Sequence, residues 1–455
     1  MTTFPADFAW GTATASYQIE GAVAEDGRGT SIWDTFAHTP GKIADGTNGD
    51  VADDHYHRYA EDIALLASLG MNAYRFSIAW PRIQATGTGP LNPAGLDFYR
   101  RVAETCLEHG VTPYATLYHW DLPQALEDAG GWLNEDTAAA FRDYAAGTHD
   151  ALGDVIANWI TLNEPWCSAF LGYGNGVHAP GLTVGSDSLK AAHHLLLGHG
   201  LAINAMRESR HASTLGVTFN LYSVRAASDS AVDREAARRT DGLGNRLFLD
   251  PVLLGKYPDD VLTDAGVSEW FAERSEDLEV ISTPVDFVGI NYYSRHTAAG
   301  PSDGIFSDPT VPSASPGSER VQMVDTGAAK TQMGWEIHPD GLVDVIAMVH
   351  ERARDLPIYI TENGAAYADT VAADGSVDDE ERRHYFEQHV EACRQAIEQG
   401  LPLQGYFAWS LMDNFEWAFG FSRRFGLVYV DYETQKRTVK KSGLWFRDFL
   451  AADRT

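Results

Sequence analysis

The chain has 455 residues, 44% of them apolar or aromatic, enough to bury a large core without disulfides or a structural metal. With 34 Lys plus Arg against 64 Asp plus Glu it carries a formal charge of −30, which repels phosphate backbones and anionic bilayers, so neither nucleic acid nor a membrane is expected as partner. No apolar stretch reaches the length of a membrane span, Met1 to Trp10 lacks a basic region followed by an apolar core, and Cys106, Cys167 and Cys393 show no metal-ligand spacing. The expectation is a cytoplasmic protein with ordinary thiols in a reducing compartment.

Taken in chain order, short β-branched or aromatic runs alternate with longer, often helix-periodic segments, the sequence sign of repeated βα units. The first run is Phe8 to Ser16. The next segment places Tyr56, Tyr59, Ile63 and Leu66 at three- and four-residue steps and stops at Gly70, as a helix does at a C-terminal glycine. Asn72 to Trp80 is the second run; Pro93, Leu96, Tyr99 and Val102 then predict a helix ending near Gly110. Thr112 to Trp120, Asn158 to Glu164, Leu215 to Tyr222 and Asp286 to Ser294 follow. Gly300 to Lys330, rich in Pro, Ser, Gly and Asp, reads as a long loop. Leu356 to Glu362 is the seventh run, an acidic stretch from Asp378 to Glu381 opens a helix that ends near Gly400, and Leu403 to Leu411 is the eighth. Eight parallel strands close a (β/α)8 TIM barrel, here with extended βα loops, and no linker or repeat divides the chain, so one catalytic domain over 1–455 is expected.

In such a barrel the C-terminal strand ends surround the active site, which gives weight to the polar residues found there. Strand two carries Arg75. Strand three ends in His119 and Trp120, strand four in Asn163 and Glu164, and strand six holds Asn291, Tyr292 and Tyr293; strand seven ends in Glu362 and Asn363, and strand eight carries Trp409. A single glutamate after a strand is usually a solvated loop residue. Two of them three strands apart can face one another across the mouth. Cleavage of a glycosidic bond requires such a pair, one to protonate the leaving oxygen and one to support an oxocarbenium-like transition state.

Thr161-Leu-Asn-Glu-Pro165 and Ile360-Thr-Glu-Asn-Gly364 resemble the two signature motifs of glycoside hydrolase family 1. Phe8-Ala-Trp-Gly-Thr-Ala-Thr-Ala-Ser-Tyr-Gln-Ile-Glu-Gly21 and Asn414-Phe-Glu-Trp417 match further family segments in the right order, and the likeness runs from Phe4 to about Phe449. The resemblance implies a retaining β-glucosidase without cofactor or metal, acting on a β-glucoside or cello-oligosaccharide, with Glu362 as nucleophile and Glu164 as acid/base. It also supplies Arg75 and Tyr293 as groups that keep Glu362 ionised, and Asn163 beside the sugar 2-hydroxyl. Gln18, His119, Glu416 and Trp417 would bond the sugar hydroxyls, Trp409 would be the platform for the ring, Trp120, Asn291 and Phe425 would complete the wall, and Trp335 would line the entrance. Phospho-specific relatives carry a small polar residue at the place of Glu416 with a lysine and tyrosine shortly after. This chain has Ala418-Phe-Gly-Phe-Ser-Arg-Arg424 instead.

Other eye-catching residues receive plainer readings. Trp33, Trp80, Trp132 and Trp159 are assigned to packing. His193, His194 and His199 lack the spacing and carboxylate of a metal site, Asp50 to Asp54 reads as an acidic first turn of a helix rather than a calcium loop, and Arg423 and Arg424 read as rim solvation or an ion pair. Cys167 is left open between the entrance of the pocket and an incidental buried thiol.

Overall fold

The computed structural model describes residues 4–453. Residues 1–3 and 454–455, at the ends of the expected 1–455 unit, lie outside it. Eight strands form a closed parallel barrel: β1 (Ala9–Ala13), β2 (Ala73–Ser77), β3 (Thr112–Tyr118), β4 (Asn158–Asn163), β5 (Thr214–Asn220), β6 (Phe287–Asn291), β7 (Ile358–Asn363) and β8 (Leu403–Trp409). Each pairs with its sequence neighbours, and β8 closes on β1 through Ala9 opposite Gly405 to Ala13 opposite Trp409. All eight predicted runs are therefore strands. Because both faces of these strands are covered, they are almost wholly buried, and their apolar runs are continuous rather than alternating.

The helices also follow the sequence pattern. His55–Ser68 ends before Gly70 at φ +79°, Pro93–Glu108 ends before Gly110 at φ +68°, and Glu380–Glu398 ends before Gly400 at φ +79°. Such left-handed stops favour glycine because a Cβ would crowd the following carbonyl. One expectation is corrected. The acidic run Asp50 to Asp54 precedes the helix rather than forming its first turn, because Asp54 adopts φ +53° and the first helical residue is His55. The Gly300 to Lys330 segment is mostly irregular, but Gln322–Met323 pairs antiparallel with Ala298 and Ala299, adding an edge to a small sheet that also contains Ser223–Ala226.

The barrel interior is filled. Tyr114 of β3 meets Phe407 of β8 at 5.1 Å and Tyr359 of β7 at 6.0 Å between ring centroids, and since β3 neighbours neither strand, these rings meet inside the barrel. A more polar layer contains Arg75, Thr116, Thr218 and Thr361, all buried, with Arg75 Nε donating to Thr116 Oγ1 at 3.1 Å. The aromatic layer closes one end, so the site opens at the other.

The pairing is irregular just where the two glutamates leave the barrel. On β4 the register shifts against β5 between Ile160 and Asn163, and on β7 it shifts against β6 between Ile360 and Glu362. An extra residue in one strand of a pair turns the following side chain, so these bulges re-aim the two strand ends. Gly364 then passes against β8, where a Cβ would lie 1.8 Å from the Trp409 carbonyl oxygen. Gly364→Ala is expected to displace the ends of β7 and β8 together and to destabilise the protein by about 1–3 kcal/mol, with a fall in kcat, as measured by denaturant unfolding and steady-state kinetics.

Candidate active site

A cavity of about 420 Å³ opens at the C-terminal ends of the strands, a volume suited to one sugar ring and part of a leaving group. Glu164 and Glu362 both line it, with His119, Trp120, Asn291, Tyr293, Trp335, Trp409, Glu416, Trp417 and Phe425. Three further residues expected at the site, Arg75, Asn163 and Gln18, are buried outside this lining: Arg75 bonds Glu362 and Asn163 bonds His119, whereas Gln18 donates to Asn414 and to the carbonyl of Phe415 beside Glu416. The buried Cys167 is part of the wall, which settles the question left open about its place.

The network beneath the cavity has one consistent assignment of donors. Arg75 sends Nη1 to Glu362 Oε1 at 2.6 Å and Nη2 to Asn163 Oδ1 at 2.6 Å. A guanidinium only donates, so the Asn163 atom is oxygen. Asn291 Nδ2 donates to that same oxygen at 3.0 Å and to Glu164 Oε1 at 2.6 Å, while its own Oδ1 accepts from Thr361. Asn163 Nδ2 is then left to donate to His119 Nε2 at 3.0 Å. The imidazole, held well below its ordinary pKa by burial and by Arg75, is neutral, so its proton sits on Nδ1, which has no partner. Tyr293 donates to Glu362 Oε2 at 2.7 Å, and Tyr292 points elsewhere, to the His338 carbonyl oxygen.

The two carboxyl groups are thereby treated differently. Burial raises the pKa of Glu362, but a guanidinium and a phenol hydroxyl both donate to it and oppose that rise. Glu164 receives no charged donor. Burial and the negative charge of Glu362 push it up to about 7. Of the pair, Glu362 is the better carboxylate and Glu164 the better acid.

A third carboxyl, Glu416, is pushed up to about 8 by burial and by the charges of Glu362 and Glu164. Its Oε2, Gln18 Oε1 and His119 Nδ1 are buried polar atoms without a protein partner. Unsatisfied polar groups at this depth cost about 1–3 kcal/mol each, so a ligand rich in hydroxyls is the natural complement. The aromatic wall supplies the other half. Trp417 lies 4.5 Å from Trp120 and 4.6 Å from Trp33 between centroids, and Trp335 packs 5.2 Å from Tyr293. Glu164, Trp120 and Trp417 all have left-handed backbones, with φ of +45°, +76° and +47°.

A model of the family described as glycosyl hydrolase family 1 matches residues 1–455. The chain belongs to glycosyl hydrolase family 1. Among relatives of this family, the bifunctional β-D-glucosidase/β-D-fucosidase of Bifidobacterium breve is 48% identical, with 98% of each chain covered. β-Glucosidase A of Thermotoga maritima is 47% identical over 98% of this chain and 97% of its own. Among solved structures, the psychrophilic β-glucosidase of Micrococcus antarcticus superposes with a TM-score of 0.94 at 46% identity, covering 100% of this chain and 98% of that one. The Thermotoga maritima β-glucosidase in complex with castanospermine superposes with a TM-score of 0.93 at 46% identity, covering 100% and 99%.

The residues assigned to packing are found in the core: Trp33, Trp80, Trp132 and Trp159 are all fully buried, although Trp33 backs Trp417. His193 is hydrogen-bonded to Tyr257 and Asp277, His194 to the Trp132 carbonyl and His199 to Thr161. Arg424 pairs with Asp413 at 2.6 Å, the ion-pair reading of that residue. Trp166, Tyr222, His296, Met333 and Phe419 line the outer cavity and were not singled out from sequence. Trp166 had a signal in its place directly after the Asn-Glu-Pro motif and Tyr222 in closing the fifth run, whereas His296 lies on the strand Arg295–Ala299 of the small sheet, Phe419 on the short helical segment Trp417–Ser422 and Met333 in a turn, none of them marked by periodicity.

Proposed function

We propose that the protein is a retaining exo-β-glucosidase that removes a terminal non-reducing β-D-glucosyl residue by double displacement. Glu362 attacks the anomeric carbon as its bond to the leaving oxygen breaks, and Glu164 gives that oxygen its proton. The glycosyl-enzyme ester consumes the charge of Glu362, which removes one of the two causes that raise the pKa of Glu164. Glu164 then takes a proton from water, which attacks the same carbon and releases Glu362. The observation that carries this reading is the unequal environment of two carboxyl groups in one cavity, one bonded by Arg75 and Tyr293, the other without a charged donor.

In this reading His119, Gln18 and Glu416 bond sugar hydroxyls through their free atoms, Asn163 faces the 2-hydroxyl, and Trp409 carries the ring. Trp120, Trp417, Asn291 and Phe425 enclose the sugar, and Trp335 meets the leaving group. The names of the relatives support glucose as the glycone and fucose as a further one; galactose is proposed as a side substrate on the family resemblance alone. A cytoplasmic enzyme of one catalytic domain that degrades cellobiose and similar glucosides completes the proposal; among the described residues no helix is long and apolar enough to cross a membrane. A catalytically silent sugar-binding protein is the weaker reading, since both carboxyl groups are in place.

The test is stereochemical. Proton NMR of the first sugar released from an aryl β-glucoside is expected to show the β-anomer, as two inversions at one carbon require. Appearance of the α-anomer before mutarotation would remove both the double displacement and the role of Glu362.

A further inference from the structure

We propose that Cys167 is a positioning residue for Glu164, its thiol marking Oε2 as the oxygen that carries and delivers the proton. The inference rests on the acid/base role given to Glu164 above. The Cys167 Sγ lies 3.0 Å from Glu164 Oε2, and Asn291 Nδ2 lies 2.6 Å from Oε1.

The argument begins at Arg75. Because Arg75 donates to Asn163 Oδ1, Asn291 must present its amide nitrogen there, and that same nitrogen donates to Glu164 Oε1. Oε1 accepts a short bond from the amide N–H of Asn291, and a carbonyl oxygen accepts better than a hydroxyl oxygen, so in the acid form the proton resides on Oε2. The sulfur is the protein atom bonded to Oε2. A thiol is a weak donor and a weak acceptor and rotates freely about Cβ–Sγ, so it can serve both states of the carboxyl group. It accepts from O–H when Glu164 is an acid and turns its S–H to the carboxylate when Glu164 is a base. The second arrangement is the stronger because the acceptor is charged, so the thiol favours the ionised form.

The thiol itself stays protonated. Burial and the charge of Glu164 hold its pKa far above the ordinary range, so an S–H is present throughout the cycle. The groups that face Glu164 come from several elements: Glu362 at the end of β7, Arg75 on β2, Tyr293 after β6, Tyr222 after β5, Glu416 after β8, and Cys167 on the helical segment that follows Glu164. Burial and Glu362 raise the pKa of Glu164 to about 7, and Cys167 stands with Asn291 and Arg75 among the groups that lower it.

The measurement is the pH dependence of kcat/KM. For phenyl β-glucoside, which needs a proton on its leaving oxygen, activity falls as pH rises through the pKa of Glu164. Cys167→Val removes the donor at similar volume and is expected to move that alkaline limb upward by roughly 0.5–1 unit, the size expected for losing one weak bond to a charged acceptor. Cys167→Ser keeps a donor and is expected to return the limb to the wild-type position or below it. A Cys167→Val profile that superposes on wild type, whatever its melting temperature or KM, would overturn the inference, as would a Ser variant that behaves like Val. Wild type and Glu164→Gln, compared on phenyl and on 2,4-dinitrophenyl β-glucoside, separate this from the parent reading. Glu164→Gln is expected to lose turnover of the phenyl substrate and to keep glycosylation by the dinitrophenyl one, and an equal loss on both, or no loss on either, would overturn the acid/base assignment and the inference with it. The selective loss, with the Cys167→Val limb on phenyl β-glucoside unchanged from wild type, would overturn the thiol alone.

Discussion

Replacing Glu362 by glycine is expected to lower turnover of every β-glucoside by on the order of 10⁴ to 10⁶-fold, the scale on which enzymes lose activity with their nucleophile. Replacing Glu164 by alanine should be selective. Substrates with poor leaving groups lose on the order of 10² to 10⁴-fold, whereas glycosylation by a dinitrophenyl glucoside, whose leaving group needs no proton, is largely spared. The difference follows from the geometry. Arg75 and Tyr293 hold both oxygens of Glu362, and no other carboxyl group receives a guanidinium within the cavity network. Azide reads out the roles: with Glu362→Gly and an activated β-glucoside it should yield an α-glycosyl azide, and with Glu164→Ala a β-glycosyl azide. Products of the opposite configuration would exchange the two assignments.

A second large effect is expected from a phosphate on the sugar. p-Nitrophenyl β-glucoside should be cleaved orders of magnitude faster than its 6-phosphate, compared side by side, because a phosphate of about −1.5 to −2 charge would enter a cavity that already holds three carboxyl groups. Among the described residues no lysine or arginine lines that cavity. Arg424 is engaged by Asp413 and by the Val430 carbonyl, and Lys440 by Asp369 and Asp413. With its pKa raised to about 8 by burial and by the charges of Glu362 and Glu164, Glu416 is largely protonated near neutral pH, so the penalty lies in Glu362 and in the lack of a neutralising cation more than in Glu416 itself. Comparable cleavage of the two substrates would mean that the phosphate is neutralised or held outside this carboxyl-lined cavity.

The barrel was legible because a strand buried on both faces leaves a continuous apolar run, and Gly70, Gly110 and Gly400 punctuated the helices between them. The inner site was legible because its residues sit at strand ends, where chain order predicts spatial order. Arg75 on β2 reaches Glu362 on β7 and Asn163 on β4, contacts that follow once the strands are placed in a ring. The outer cavity was not legible in the same way. Tyr222 follows β5, His296 and Met333 both follow β6 and Phe419 follows β8, and their convergence depends on the conformations of long connections that no periodicity encodes. The displaced start of the helix at His55 had a similar local cause, left-handed backbones at Ala52 and Asp54.

Glu164, Trp120 and Trp417 stand in left-handed backbone conformations that cost non-glycine residues about 1–3 kcal/mol each. Their side chains are nonetheless the ones that shape the cavity, so glycine cannot replace them there without loss of the wall. The mouth of the barrel is therefore the least stable place to improve and the most hazardous to alter. Attempts to raise the melting temperature belong at the opposite rim and on the outward faces of the helices, where gains in packing or capping leave the strained mouth untouched. Random mutagenesis selected for thermal tolerance should accordingly accumulate its successes away from the cavity, and substitutions that relax the mouth should surface only when activity is not selected.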